Sequence, residues 1–127
     1  MIDLAEQGGD MDGYVRIKDI AERQRISRDY LVQLAIGLKN ADLIRSAPGV
    51  GGGYTLPRPP GQVSVLDVVE ASIGRVHIVD CLGEEPGCDH TETCSARVIW
   101  KIANDKLVES FRGVTLADMH TMSKSDM

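Results

Sequence analysis

Apolar positions along this chain recur mostly at helical spacing, interrupted by one pair of short β-prone runs and one polar, cysteine-bearing segment. Ile2–Gln7 reads as the last turn or two of a helix stopped by Gly8-Gly9, so the first helix is expected to lack its beginning. Ile17, Ile20 and Ala21 predict a short helix ending near Gln24, poorly capped because Arg16 stands where Ser or Asp would help. Ser27 is a good N-cap for the next helix, where Tyr30, Leu31, Leu34, Ala35 and Leu38 form one apolar stripe running on to Ala41. Joined by Arg25-Ile26-Ser27, the two read as a helix-turn-helix. The runs Leu43–Ala47 and Tyr54–Leu56 flank a Pro48–Gly53 tip and predict a hairpin, which directly after a helix-turn-helix is a wing. The stiff linker Pro57-Arg-Pro-Pro-Gly61 ends that unit.

Beyond the linker, Ser64 caps a helix carrying Val65, Leu66, Val68, Val69 and Ile73, stopped by Gly74. Val98, Ile99, Ile102, Ala103, Val108 and Phe111 sustain a helical pattern from about Ser95 to Arg112, roughly 25 Å long at about 1.5 Å per residue. Trp100 and Leu107 widen its apolar face beyond one stripe. A helix apolar on two sides buries the second against a partner chain, so this is the expected dimer element. The tail from His120 is polar and expected to fray. The fold class predicted is mainly α with a small β-hairpin wing. A winged helix-turn-helix occupies residues 1–61, and a loop with a long dimerisation helix occupies 62–127, within one compact domain.

Composition narrows the setting. A length of 127 residues suits one domain, and 43% apolar with 26% charged residues is ordinary for a globular protein. No apolar run approaches a membrane span, and the first residues lack the pattern of a secretory signal. An odd set of clustered cysteines then favours a reducing, cytoplasmic setting. The net charge of −5 is unevenly spread. Between Tyr14 and Arg58, eight basic residues face four acidic ones, whereas from Val63 onward eleven acids face six bases. A basic front and an acidic back suit a protein that presents one face to a polyanion.

Two sets of residues carry candidate chemistry. On the second helix of the helix-turn-helix, Arg28, Asp29, Val32, Gln33, Ile36 and Lys39 lie off the apolar stripe. The early positions Ser27, Arg28, Asp29, Val32 and Gln33 point into a major groove if this helix reads DNA. There Arg bridges guanine O6 and N7, Gln bridges adenine N6 and N7, and Val32 meets a thymine methyl. Arg45 and the wing tip, with Gly52 and Tyr54, fall near phosphate or the minor groove. The competing reading of this helix is a solvated face, which the adjoining wing disfavours.

The second set is Cys81, Cys88 and Cys94, the only cysteines, within fourteen residues of one polar loop. Three thiols cannot all pair with one another, but they can present three thiolates to one metal centre. Structural zinc, a thiol switch and inert packing are the alternatives; zinc favours Cys-x-x-Cys pairs, of which there are none. Irregularly spaced thiolates fit an iron–sulfur cluster, with Asp89, His90 or Glu92 as a candidate fourth ligand. His77 and His120 carry no such signal. No Gly-x-Ser-x-Gly, phosphate-binding loop or paired carboxylate points to an enzyme or to a small-molecule substrate.

The stretch Ile20-Ala-Glu-Arg-Gln-Arg-Ile-Ser-Arg-Asp-Tyr-Leu-Val-Gln-Leu34, the wing Gly-Gly-Gly-Tyr54, the cysteine loop and the ending Val114-Thr-Leu-Ala-Asp-Met119 together resemble the IscR/NsrR-type winged-helix regulators. The resemblance covers essentially the whole chain. It implies a homodimeric bacterial transcription factor that binds an operator in double-stranded DNA. In its cluster-bearing members the three loop cysteines hold a 2Fe-2S or 4Fe-4S cluster whose state sets operator affinity, coupling iron–sulfur supply, nitric oxide, iron or redox stress to transcription, commonly as a repressor. The chain departs from that pattern at several points. Family members begin with about one more helix before the segment matching Ile2–Ala5. Arg97 stands where IscR-like members carry a ligand His, and NsrR-like members draw an Asp ligand from the preceding segment. The recognition-helix Glu and wing Arg of IscR-like members correspond to Val32 and Pro48, which implies a different operator sequence. Two rivals remain: a cluster-free winged-helix regulator resembling CymR that works through a protein partner, and a small iron–sulfur electron-transfer or delivery protein.

Overall fold

The computed structural model describes residues 1–7, 13–49, 52–79, 82 and 94–125. Chain order among them is α1 (Ile2–Gln7), α2 (Ile17–Gln24), α3 (Arg28–Asn40), β1 (Arg45–Ala47), β2 (Gly53–Thr55), a 3-10 turn (Pro60–Gln62), α4 (Val65–Ile73), α5 (Ser95–Arg112) and α6 (Leu116–Ser125). The expected mainly helical fold with a hairpin wing is what forms.

Local chemistry explains most boundaries. The start of α2 has no side-chain cap, as expected with Arg16 there. It ends at Arg25 in the left-handed region, φ 55°, a conformation that costs a non-glycine residue about 1 kcal/mol. That residue turns the chain so that the Ile26 N–H donates to the Ala21 carbonyl at 3.1 Å. Ser27 then caps α3, its hydroxyl accepting from the Tyr30 N–H at 3.2 Å. Ser64 and Asp67 cap α4 reciprocally: the Ser64 hydroxyl accepts from the Asp67 N–H and the Asp67 carboxylate from the Ser64 N–H, each at 3.0 Å.

Two expectations need correction. The tail from His120 does not fray: α6 runs to Ser125, because Thr115 and Asp118 repeat the reciprocal cap at 3.0 and 3.1 Å and one face of α6 packs against α1. The strands are also shorter than the β-prone runs. Leu43 and Ile44 turn inward as core residues, leaving Arg45–Ala47 to pair antiparallel with Gly53–Thr55, Arg45 opposite Thr55. A further contribution to the wing leaves no mark in the sequence pattern. Val15 and Tyr54 exchange two backbone hydrogen bonds, each 2.8 Å, across the outer edge of β2.

One cluster of buried residues gathers Leu4, Val15, Ala35, Leu43, Ile44, Leu56, Val63 and Leu116. Val63 and Leu116 are its most enclosed members, at 1% and 2% exposure, each worth about 1.5–3 kcal/mol on burial. Their backbones are paired as well: the Leu116 N–H donates to Val63 at 3.0 Å and the Val65 N–H to Val114 at 2.8 Å. The starts of α4 and α6 therefore lie side by side.

An ion pair between buried Asp3 and exposed Arg23 fastens α1 to α2. Arg23 forks onto Asp3 at 3.0 and 2.7 Å, and the Gln24 amide donates to the same carboxylate at 2.9 Å. Asp3 is only 6% exposed, and the Arg23 hydrogen bonds hold its carboxyl below the usual Asp range. A depressed carboxyl stabilises the fold above the ordinary Asp range, and that contribution is lost as pH falls through the folded value. Asp3→Asn is expected to cost about 2 kcal/mol at pH 7. Urea unfolding at neutral and acidic pH checks this, the gap between wild type and variant closing as pH drops below about 4.

Candidate nucleic-acid interface and cysteine loop

The helix-turn-helix sets α3 with one stripe inward and another outward. Ala35 is buried and Leu31, Leu34 and Leu38 half-buried, at positions i, i+3, i+4 and i+7. Tyr30, expected in that stripe, is 55% exposed: it lies about a quarter turn off the stripe's centre, beyond reach of the core. Arg28, Asp29, Val32 and Gln33 are exposed, as is Ser27, whose hydroxyl is committed to the cap.

Arg16, Lys18, Arg25, Lys39 and Arg45 of the basic front stretch are all exposed. Arg23 belongs to the same basic stretch but is spent on Asp3. On the wing, Arg45 is exposed on β1, opposite Thr55. Gly52 is buried, and a Cβ there would collide with the Ala47 carbonyl. Tyr54 is half-buried between Ser46 and Val15, with backbone pairing on both sides. An exposed helix face in a basic stretch, followed in the chain by a hairpin wing, suits a phosphate-lined groove.

Of the three cysteines, Cys81 and Cys88 lie outside the described residues, as do Asp89, His90 and Glu92. Cys94 is half-buried and free of any disulfide, at the N-cap position of α5, where its side chain makes no capping hydrogen bond. Arg97 follows one turn later, its Nε buried without a hydrogen-bond partner among the described residues. Among those residues no three His, Cys, Asp or Glu side chains gather as a metal site. The donor that is placed suits a soft metal centre: a thiol outside any disulfide or cap, at the start of a helix. Arg97 is no ligand, since a guanidinium keeps its proton.

Several contributors carry little signal in the sequence. Asp3 and Arg23 are twenty residues apart and meet only through the fold. Asn104, midway along α5, ties down the segment leading to the cysteine loop, its Oδ1 accepting from the Ile78 N–H at 2.8 Å and its Nδ2 donating to the Val76 carbonyl at 3.1 Å. An Asn amid the apolar spacing of α5 was the available signal.

α5 presents a second apolar face. Leu107, Val108 and Phe111 are half-buried, whereas Val98, Ile99, Trp100 and Ile102 are 44–62% exposed. No helix among the described residues is long and apolar enough to cross a membrane.

Comparison with known proteins agrees with this architecture. IscR of Sodalis glossinidius, a helix-turn-helix transcriptional regulator, is 36% identical over 119 residues, covering 94% of this chain and 70% of that protein. The solved structure of T. potens IscR matches with a TM-score of 0.78 and 31% identity over 99% of this chain and 82% of that one. CymR of B. subtilis, the global cysteine regulator, matches with a TM-score of 0.75 and 27% identity, covering 95% and 87%. The family model described as Rrf2, iron-dependent transcriptional regulator, matches residues 1–121. With a winged helix, an exposed outward face on α3 and these relatives, the chain is a DNA-binding transcriptional regulator and belongs to the Rrf2 family.

Proposed function

We propose that the protein is a homodimeric, cytoplasmic repressor that responds to iron–sulfur status, nitric oxide, iron or redox stress through a cluster held by Cys81, Cys88 and Cys94. The observation that carries this reading is Cys94, half-buried at the head of α5 and committed to neither a disulfide nor a cap. An iron–sulfur group bound there supplies a centre whose charge and integrity change with electron and iron supply. The remaining steps belong to the chain itself. Asn104 holds Val76 and Ile78 against α5, so the loop between Ile78 and Cys94 begins and ends on one helix. The chain between Ile73 and Val76 joins that anchorage to α4. α4 in turn meets α3 backbone to backbone, since any Cβ on Gly37 would collide with the Ala71 carbonyl. A shift of the loop is thereby passed through α4 to the face of Ser27, Arg28, Asp29, Val32 and Gln33. Arg45 reaches phosphate, while Gly52 and Tyr54 shape the wing.

Two measurements test the reading. Reconstitution with iron and sulfide under anaerobic conditions is expected to give a coloured protein, and Cys88→Ala a colourless one that still binds duplex DNA. A wild-type protein that stays colourless and iron-free sinks the cluster. Duplex affinity should fall steeply with salt; Arg45→Ala, which removes a phosphate contact, should flatten the log–log slope by about 1, whereas Arg28→Ala should relax discrimination at one base pair.

The likeness to CymR favours a second reading, a cluster-free regulator acting through a protein partner. In that case a variant with all three cysteines changed to Ala binds the operator as wild type does and ignores iron and nitric oxide.

A further inference from the structure

The outward face of α3 has an apolar centre. Asp29, Val32, Gln33 and Ile36 follow the spacing i, i+3, i+4, i+7, as do the inward residues Leu31, Leu34, Ala35 and Leu38. The two stripes are offset by two residues and so lie on opposite sides of the helix. Val32 is 45% and Ile36 57% exposed, one above the other about 6 Å apart along the axis. Neither packs in the core, and the same helix carries exposed Arg28 and Lys39, with exposed Arg25 in the turn that leads into it. Exposed cations along with an exposed aliphatic pair call for a partner that is anionic at its edges and apolar at its centre. In the major groove that description has one fit. Phosphates line the rim, and the thymine 5-methyl is the apolar group displayed on the base edges.

We propose that Val32 and Ile36 form a methyl-reading pair, which makes Ile36 a specificity-determining residue and places two thymines per half-site under α3. With bases stacked about 3.4 Å apart, side chains about 6 Å apart meet methyls one or two steps from each other. This deepens the DNA-binding reading of α3 and rests on it. Arg28, Asp29 and Gln33 flank the pair and supply polar contacts; the methyl pair sets the centre of the site.

The test starts from a random duplex pool enriched on the wild-type protein. The enriched duplex is then resynthesised with deoxyuridine in place of each thymine in turn, which removes the methyl and leaves the base-pairing edge unchanged. Two positions per half-site are expected to lose about fourfold in affinity each. Ile36→Ala should abolish the penalty at one of them and Val32→Ala at the other. Both side chains are exposed, so unchanged thermal unfolding of each variant separates lost contact from lost fold. If no duplex is enriched, the DNA-reading role of α3 fails and this inference with it. Enrichment with uridine tolerated everywhere, or with penalties that survive Ile36→Ala, overturns the methyl pair alone.

Discussion

Glutamate at both Ile99 and Ile102 is expected to give a folded monomer whose affinity for a two-half-site operator falls about a hundredfold or more. Both side chains lie on the outer side of α5, half or more exposed, away from the side that carries Asn104, Val108 and Phe111. In a two-fold dimer each substitution counts twice, so four aliphatic side chains lose their burial. At about 1.5–3 kcal/mol each the loss is about 6–12 kcal/mol, comparable with the roughly 8 kcal/mol that holds a micromolar dimer. The fold should survive, since neither residue belongs to the core cluster. A protein bound to one half-site then no longer raises the local concentration of a second, and avidity of about 100- to 10,000-fold disappears. Sedimentation equilibrium reads the mass, and a titration of full and half operators reads the avidity. A variant that remains dimeric moves the dimer contact elsewhere.

The second large effect is predicted at Gly53. Its φ is 139°, and a Cβ there would collide with the Val15 carbonyl. Gly53→Ala thus adds backbone strain, about 1–2 kcal/mol, and forces Val15 off Tyr54, breaking two hydrogen bonds worth about 1 kcal/mol each. The sum, about 3 kcal/mol, corresponds to a Tm drop of about 10 °C for a domain of this size. Gly49→Ala is the internal control. Gly49 also has a positive φ, 87°, but nothing lies within 4 Å of the position a Cβ would take, so only the strain applies. Equal losses at the two glycines would refute the Val15 account.

These two sites differ in how far they can be read from sequence. The breadth of the α5 pattern announces a second apolar face, because every residue involved lies on one helix with one period. The bounds of α2, α3, α4 and α5 are legible for the same reason, helped by Ser27 and Ser64. The Val15–Tyr54 pairing is not, since a single bridged residue leaves no alternation to detect. The last helix escapes the pattern because Leu116–Ser125 is mostly polar, although Thr115 and Asp118 have the spacing of a cap. At the candidate site, the recognition face follows from helical spacing. The thiols are recognisable by type and crowding, whereas Asp3–Arg23 and Asn104–Ile78 join partners that only tertiary packing brings together.

The anchorage of α5 by Asn104 has a mechanical consequence. At its C-terminal end the helix passes into Val114, which is bonded to Val65, and at its middle it is bonded to the segment after α4. The stretch from Cys94 to Asn104, about 15 Å of helix, lies on one side of both of these hydrogen-bonded fixings. Val98, Ile99 and Ile102 all lie on that length. Cys94 stands half-buried at its head, and its flank carries the exposed aliphatic residues that a second copy would cover in the proposed dimer. In the proposed cluster-bearing dimer, a pull on the thiol and a change in the grip between two copies would therefore act on the same rod.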